Sequence, residues 1–398
     1  MPALIRYKYR NRINLENFSR PFVNGNFPGH VDLPRLSSGK VGGAFWSVYA
    51  PCPANGMDFS DENYVSCESL IQAFSEVILL LNLLPAVRYT FEQVDLMSRL
   101  QHMYPGVFSE PPNGTTAMDV YRSGKIISPY GIEGLHSIGN SFSLLRTFYN
   151  LGVRYATLTH NCHNMFADAA LQVVDGEIVN ARPYWNGISE KGKDLVYEMN
   201  RIGMIVDISH ASYGTMLDVL GAGKDDWTGS RAPIIFSHSS AFSVCPHPRN
   251  VPDDVLQLVK KTGSLVMVNF APSFVSCIAK PGEHGGLPDF YPANSTLEHV
   301  VDHILHIGGL IGFEHVGFGS DFDGIGSTPA GLEDVSKYPD LLTALLKRGV
   351  NDKAVANIVG GNLIRVWRKV DEVALEMQAR GALPVEDDQD LDEERFEL

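Results

Sequence analysis

Three histidines and two carboxylates stand where a chain can place chemistry. Glu133, His160, His210, His238 and Asp321 each close a short apolar, β-branched run: Ile126-Ile-Ser-Pro-Tyr-Gly-Ile-Glu133, Tyr155-Ala-Thr-Leu-Thr-His160, Met204-Ile-Val-Asp-Ile-Ser-His210, Ile234-Ile-Phe-Ser-His238 and Val316-Gly-Phe-Gly-Ser-Asp321. A single histidine at such a place is usually half-buried and satisfied by a backbone carbonyl. Three of them beside a glutamate and an aspartate point instead to a hydrolytic metal centre. Zinc accepts imidazole nitrogen and carboxylate oxygen, and one carboxylate can bridge two ions about 3.5–4 Å apart. Glu133 is the candidate bridge, and His210 and His238, on neighbouring runs, are the candidate ligands. Arg249 follows His238 in a proline-stiffened loop, where its planar fork suits a substrate carboxylate.

Two other groups of histidines read as structural. His299, His303 and His306 fall at i, i+4, i+7 on one helical face but lack an H-E-x-x-H pattern, so they are expected on an outer surface. His163 lies past its strand end and is expected to pack within a loop.

Side chains scattered from 133 to 321 meet only if one fold gathers their strand ends. With Ala44-Phe-Trp-Ser-Val-Tyr-Ala50 and Leu265-Val-Met-Val-Asn-Phe270, the apolar runs number seven. Amphipathic stretches at 141–151, 190–202, 253–262, 297–307 and 352–377, the last broken at Gly360 and Gly361, fall between or after them. Apolar strands separated by helices imply a parallel sheet covered on both faces. Neither G-x-G-x-x-G after the first run nor G-x-x-x-x-G-K-[ST] is present, so an open nucleotide-binding sheet loses its main support. A (β/α)8 TIM-type barrel opens every strand C-terminus onto one face and would bring the five residues together.

Composition narrows the partners. Of 398 residues, 44% are hydrophobic and 20% charged, which excludes a disordered or fibrous chain. The balance 32 − 46 = −14 argues against nucleic acid. Eight acids and one arginine from 386 to 398 carry −7 of it, so the expectation is one barrel domain over residues 1–380 and an acidic, solvated tail over 381–398. No apolar run is long enough for a transmembrane segment, and the first ten residues lack a signal peptide's apolar stretch. Five cysteines, Cys52, Cys67, Cys162, Cys245 and Cys277, show no C-x-x-C pair, and three sequons begin at Asn17, Asn113 and Asn294.

Nine motifs now resemble the membrane (renal-type) dipeptidases, zinc peptidases of the amidohydrolase-like barrel group. They are Gly43-Ala-Phe-Trp-Ser-Val-Tyr, Gly131-Ile-Glu-Gly-Leu-His-Ser-Ile, Leu158-Thr-His-Asn-Cys, Asp207-Ile-Ser-His, Phe236-Ser-His-Ser-Ser-Ala-Phe-Ser-Val-Cys, Arg249-Asn-Val-Pro-Asp-Asp, Leu265-Val-Met-Val-Asn-Phe, Gly319-Ser-Asp-Phe-Asp-Gly and Gly331-Leu-Glu-Asp-Val-Ser-Lys-Tyr-Pro-Asp. They cover roughly residues 25 to 375 in the family's order. The resemblance implies a dipeptidase acting on a wide range of L-dipeptides through a metal-bridging water. Glu133 would bridge two zinc ions and His210 and His238 would hold the second. His160 would contact the substrate and its developing oxyanion, Arg249 the terminal carboxylate, and Asp321 the amino end or a proton. It further implies disulfides Cys52–Cys162 and Cys245–Cys277 and a homodimer; the cysteine pattern and sequons suggest a secreted or membrane-anchored ancestry, although with no signal peptide the compartment is left open.

One motif departs from the family. Its members carry a His-x-Asp pair after the first strand as ligands of the first zinc. Gly29-His-Val-Asp-Leu-Pro34 imitates it, yet only residues 33–43 separate Asp32 from Ala44, and a βα crossover needs at least about 10–12 residues. Gly39, Gly42, Gly43 and Pro34 leave little of that segment for a helix. The expectation is a barrel lacking its first strand and two zinc ligands, with His30 and Asp32 as decoys. Three other readings follow: an N-terminally truncated, metal-poor pseudoenzyme that binds peptide-like ligands, a dipeptidase specialised for Cys-Gly conjugates, and, ranked lowest, a deaminase or lactonase.

Overall fold

A computed structural model of the chain describes residues 1–53, 55–60, 86–224, 226–280 and 286–387. Cys67 and residues 388–398 lie outside them. All seven apolar runs form strands: β1 (Trp46–Tyr49), β2 (Tyr130–Glu133), β3 (Val153–Thr157), β4 (Ile205–Asp207), β5 (Ile235–Phe236), β6 (Leu265–Val268) and β7 (Val316–Phe318). They pair in parallel and in chain order as one curled sheet. Tyr49, Glu133, Thr157, Asp207 and Ile235 follow one another across the register, so one rung joins the strand ends that carry the polar residues. This is the expected barrel architecture. Among the described residues β1 and β7 do not pair with each other, which leaves the barrel open along one side.

The strands are shorter than the runs that announced them. Ser209, His210, Ser237, His238 and Asp321 have left the ladder, because a residue that turns into the barrel mouth cannot keep its backbone in register. Helices cover the outside: Phe142–Asn150, Glu190–Ile202 and Leu297–Ile311 start at Ser141, Ser189 and Thr296, whose side chains accept the first free N–H groups. Gly203 and Gly263 end two helices in the left-handed conformation that glycine adopts without a Cβ clash. The stretch 352–377 breaks where expected, with a π-type turn over Asn357–Gly361 before the helix Asn362–Ala379. Asn362 there donates to the carbonyls of Phe313 and Val316 and so ties the helix to β7.

Several expectations need correction. His303 is buried, not on a surface face: its Nδ1 accepts from Ala241 N–H at 3.0 Å and its Nε2 donates to Val275 O at 2.8 Å. His299 and His306 do stay partly exposed, paired with Asp302 and Asp253. The start of the acidic tail is docked rather than solvated. Asp387 accepts the backbone N–H groups of Phe142 and Ser143 at the positive end of a helix, and Val385 bonds Arg146 and Glu198. A six-residue helix, Leu33–Ser38, forms where little helix was expected, since proline is tolerated in a first turn and Asp32 caps it. Two small hairpins, Leu171–Val174 with Glu177–Asn180 and Cys277–Ile278 with Asp289–Phe290, and the N-terminal helices Pro2–Tyr9 and Glu16–Asn24 had no sequence assignment.

Both expected disulfides form. Cys52–Cys162 joins the loops after β1 and β3 across 110 residues, and Cys245–Cys277 joins those after β5 and β6 across 32. Each clamps loops at the mouth that carries the polar strand ends. No described helix is long and apolar enough to cross a membrane.

Candidate metal centre

Glu133, His210 and His238 converge. His210 Nε2 lies 3.0 Å and His238 Nε2 3.2 Å from Glu133 Oε1, and the two Nε2 atoms are 3.0 Å apart. The far side of each ring decides what those nitrogens carry. His238 Nδ1 is 2.7 Å from Ser237 Oγ, and Ser237 Oγ is 2.5 Å from Asp207 Oδ2. Asp207 is buried and also accepts from Thr157 Oγ1, Ser237 N–H and Ser209 N–H. Serine has one proton, and the carboxylate takes it, so the serine oxygen accepts and His238 Nδ1 donates. His210 Nδ1 faces Asn161 Oδ1 at 3.0 Å and donates likewise, with the amide placed oxygen-inward. In its neutral form each imidazole would then turn an Nε2 lone pair toward the other and toward a carboxylate oxygen.

Unprotonated, these three atoms within 3.2 Å of one another would repel unless a cation, a proton or a metal ion, lay among them. A metal ion meets that demand with ligands zinc accepts, each imidazole already held by its other nitrogen. The charge balance agrees. Burial raises the Glu133 carboxyl, but the two imidazoles reverse this and hold it well below its usual value. Burial lowers the His210 imidazolium, and Arg249 lowers it further. For His238 burial also lowers, but Asp321 and Glu133 outweigh it and the pKa ends raised. A proton on His238 thus competes with a metal for the same negative surroundings.

His160 adjoins the cluster, its ring 4.5 Å from that of His210 and 4.8 Å from that of Tyr49. Burial lowers its pKa to about 3, so it is neutral. Asp321 lines the same cavity and has a raised pKa through burial, opposed by His238. His210 and Asp321 both adopt left-handed backbone, φ 64° and 60°, which is costly for side chains of their kind and recurs where function fixes a residue. Arg249 is buried over the Phe274 ring, and its Nε and Nη2 have no partner among the described residues. Burial lowers it to about 10, yet it remains a cation. A buried cation with free donors is costly until an anion reaches it.

The cavity holding these groups measures about 1590 Å³. It runs from Glu133 and His238 at the strand ends to Gly43, Ala44 and Gly317 at the other end of the sheet, so the open side between β1 and β7 forms part of it.

His30 and Asp32 are engaged elsewhere. Asp32 is buried, caps the helix Leu33–Ser38 through Arg35 N–H and pairs with the Arg35 guanidinium at 2.9 Å. His30 Nδ1 accepts from Asp323 N–H at 2.9 Å. Asp32→Ala should therefore lower the melting temperature, losing about 1–2 kcal/mol from the cap alone, while metal content measured by atomic emission stays at the parent value. His163 packs in its loop, with Ala169 N–H and Arg182 O as partners.

The sequence reading missed Asn161, Asp207 and Ser237 as orienting groups. Their only signal was adjacency: Asn161 follows His160, Ser237 precedes His238, and Asp207 stands three residues before His210. Asp207→Asn should weaken metal binding about 10–100-fold, read by competition with a chromogenic chelator.

Known proteins bear on this site. A family model described as membrane dipeptidase, peptidase family M19, matches residues 1–381. The dipeptidase tcpJ of Claviceps purpurea is 43% identical over 360 residues, covering 90% of this chain and 73% of that protein. A dipeptidase of Schizosaccharomyces pombe, described as uncharacterised, is 44% identical over 375 residues, covering 94% and 80%. Among solved structures, dipeptidase AC, a metallopeptidase of family M19, superposes with a TM-score of 0.71 at 23% identity over 93% of this chain and 96% of that one. A metallopeptidase from Rhodobacter sphaeroides, solved with a phosphinate mimic of L-Ala-D-Ala, gives 0.71 at 22% over 93% and 97%. At those identities the two structures speak for the fold alone.

Proposed function

The chain belongs to the membrane dipeptidase family and is a metallo-dipeptidase, and from that footing we propose that its metal is zinc, held by Glu133, His210 and His238. What carries this is the meeting of two imidazole Nε2 atoms and a carboxylate oxygen within 3.2 Å of one another, each ring held from behind by its Nδ1 partner. Bound there, zinc supplies a Lewis acid for the peptide carbonyl and makes water acidic enough to attack at neutral pH.

The chain's own residues do the rest. Arg249 takes the terminal carboxylate of the dipeptide on its free Nε and Nη2 donors. Asp321, in the same cavity, binds the terminal ammonium or accepts a proton as the peptide nitrogen becomes an amine. His160, neutral and beside His210, donates an N–H to the oxyanion that develops on the carbonyl. A cation for one end and an anion for the other would measure the length of a dipeptide, so longer peptides should fit poorly. The substrate's side chains would face a partly open cavity, which supports a wide range of L-dipeptides. The two disulfides support an oxidising compartment.

A panel of L-dipeptides, tripeptides and C-terminally amidated dipeptides, assayed with added zinc and then with chelator, tests this. Hydrolysis confined to free dipeptides and lost with chelator is expected. Equal turnover of tripeptides, or indifference to the chelator, would remove the reading, and complete inactivity would favour the pseudoenzyme.

A further inference from the structure

The mechanism leaves His136 unused. It is fully buried, and its Nε2 donates to Ala50 O at 2.8 Å, so its Nδ1 carries a lone pair. That lone pair faces sulfur: Nδ1 lies 4.0 Å from Cys162 Sγ. At the other end of the same disulfide, His160 Nδ1 lies 3.7 Å from Cys52 Sγ. The donor atoms of Cys52, His136 and Cys162 all fall within 4.8 Å of one another. Gly134 permits the approach, since a Cβ there would lie 2.7 Å from His136 Nδ1 and 3.1 Å from His160 Cβ.

We propose that Cys52, Cys162 and His136 form a second, latent metal site, unmasked when the Cys52–Cys162 disulfide is reduced, that takes a thiophilic divalent cation such as zinc, with His160 Nδ1 as fourth ligand. The electron balance is simple. A dithiol that becomes a disulfide, or a phosphine that takes the oxygen of one water, supplies two electrons; the S–S bond breaks and two thiols remain. Binding of the cation by both sulfurs as thiolates releases two protons.

The geometry is close to what such a site needs. Zn–S of about 2.3 Å and Zn–N of about 2.0–2.1 Å place tetrahedral ligand atoms about 3.6–3.8 Å apart. The two imidazole–sulfur distances, 3.7 and 4.0 Å, already approach that, and the Cα atoms of the cysteines stand 6.1 Å apart. The Ala50 carbonyl on His136 Nε2 is the kind of outer partner that fixes a metal-binding imidazole. Disulfide and cation are thus alternative ways to join the loops after β1 and β3, and both adjoin His160 Nδ1.

Cobalt(II) serves as the probe. Protein carrying Cys67→Ser, so that the fifth cysteine, outside the described residues, cannot contribute, is reduced with a phosphine and dialysed against cobalt(II), beside an unreduced sample. The reduced protein should hold one further equivalent of cobalt and develop thiolate-to-cobalt charge-transfer absorption, both lost in Cys162→Ser and in His136→Gln. No further cobalt after reduction, or binding that persists in His136→Gln, would overturn the proposal. The second variant keeps its disulfide until reduction, so it also separates an ordered site from metal scavenged by loosened cysteines. The unreduced sample reports the hydrolytic centre independently.

Discussion

His238→Ala should abolish dipeptide hydrolysis and release the metal. The substitution removes one of the two imidazole nitrogens that meet Glu133 Oε1, and no other described nitrogen is turned to the same point by an orienting serine. Metal activation is worth several kcal/mol of transition-state stabilisation, and at 1.36 kcal/mol per decade the loss in kcat/KM should reach on the order of 10³-fold or more. The fold should survive. His238 lines a cavity, and its Nδ1 partner Ser237 keeps its bond to Asp207. Steady-state hydrolysis of one good dipeptide with metal analysis of the same sample checks the result, and unchanged turnover would remove Glu133, His210 and His238 as the centre.

Arg249→Met should separate activity from stability. The guanidinium is buried with Nε and Nη2 unpartnered, so the folded chain carries the cost of an unpaired cation. A methionine of comparable volume removes that cost and keeps contact with Phe274. The melting temperature should hold or rise. Binding should suffer, because losing one partner of a desolvated charge pair costs about 2–5 kcal/mol, which is roughly 10²–10³-fold in kcat/KM. An amidated dipeptide sharpens the test: it should be a poor substrate for the parent and no poorer for the variant. Equal losses on the free and amidated substrates would give Arg249 a role other than holding the carboxylate.

Much of this arrangement is legible in the chain because its signals are local. Seven apolar runs became seven parallel strands, and the helices Glu190–Ile202 and Asp253–Thr262 match their periodic stretches, the first capped by Ser189, the second carrying Asp253 and Asp254 in its first turn, and both ending at glycine. Glu133, His210 and His238 were visible for the same reason, each closing a run. What stayed hidden depends on distant partners. Asp207 reads as a polar interruption of an apolar strand, and only the meeting of residues 157, 209 and 237 around it makes it an anchor. His303 follows a polar helical stripe outward in the sequence, but the carbonyl of Val275 and the N–H of Ala241, brought by other loops, pull it inside. Pro21 marks a break by its type, yet it sits within the helix Glu16–Asn24, which packs Phe18 and Phe22 into an aromatic group with Phe27. The docking of Asp387 needed knowledge of which helix end lies beside it.

Atomic emission on the purified 398-residue chain and on His238→Ala, each beside its dipeptidase rate, shows whether Glu133, His210 and His238 hold the catalytic metal. The parent should carry tightly bound zinc, one ion from the ligands among the described residues, and lose its activity in step with its removal; the variant should carry none and turn nothing over. Two tight ions would return His30 and Asp32 to consideration as ligands. Full turnover by metal-free protein, or zinc retained by the inactive variant, would show that these three residues do not hold the catalytic metal.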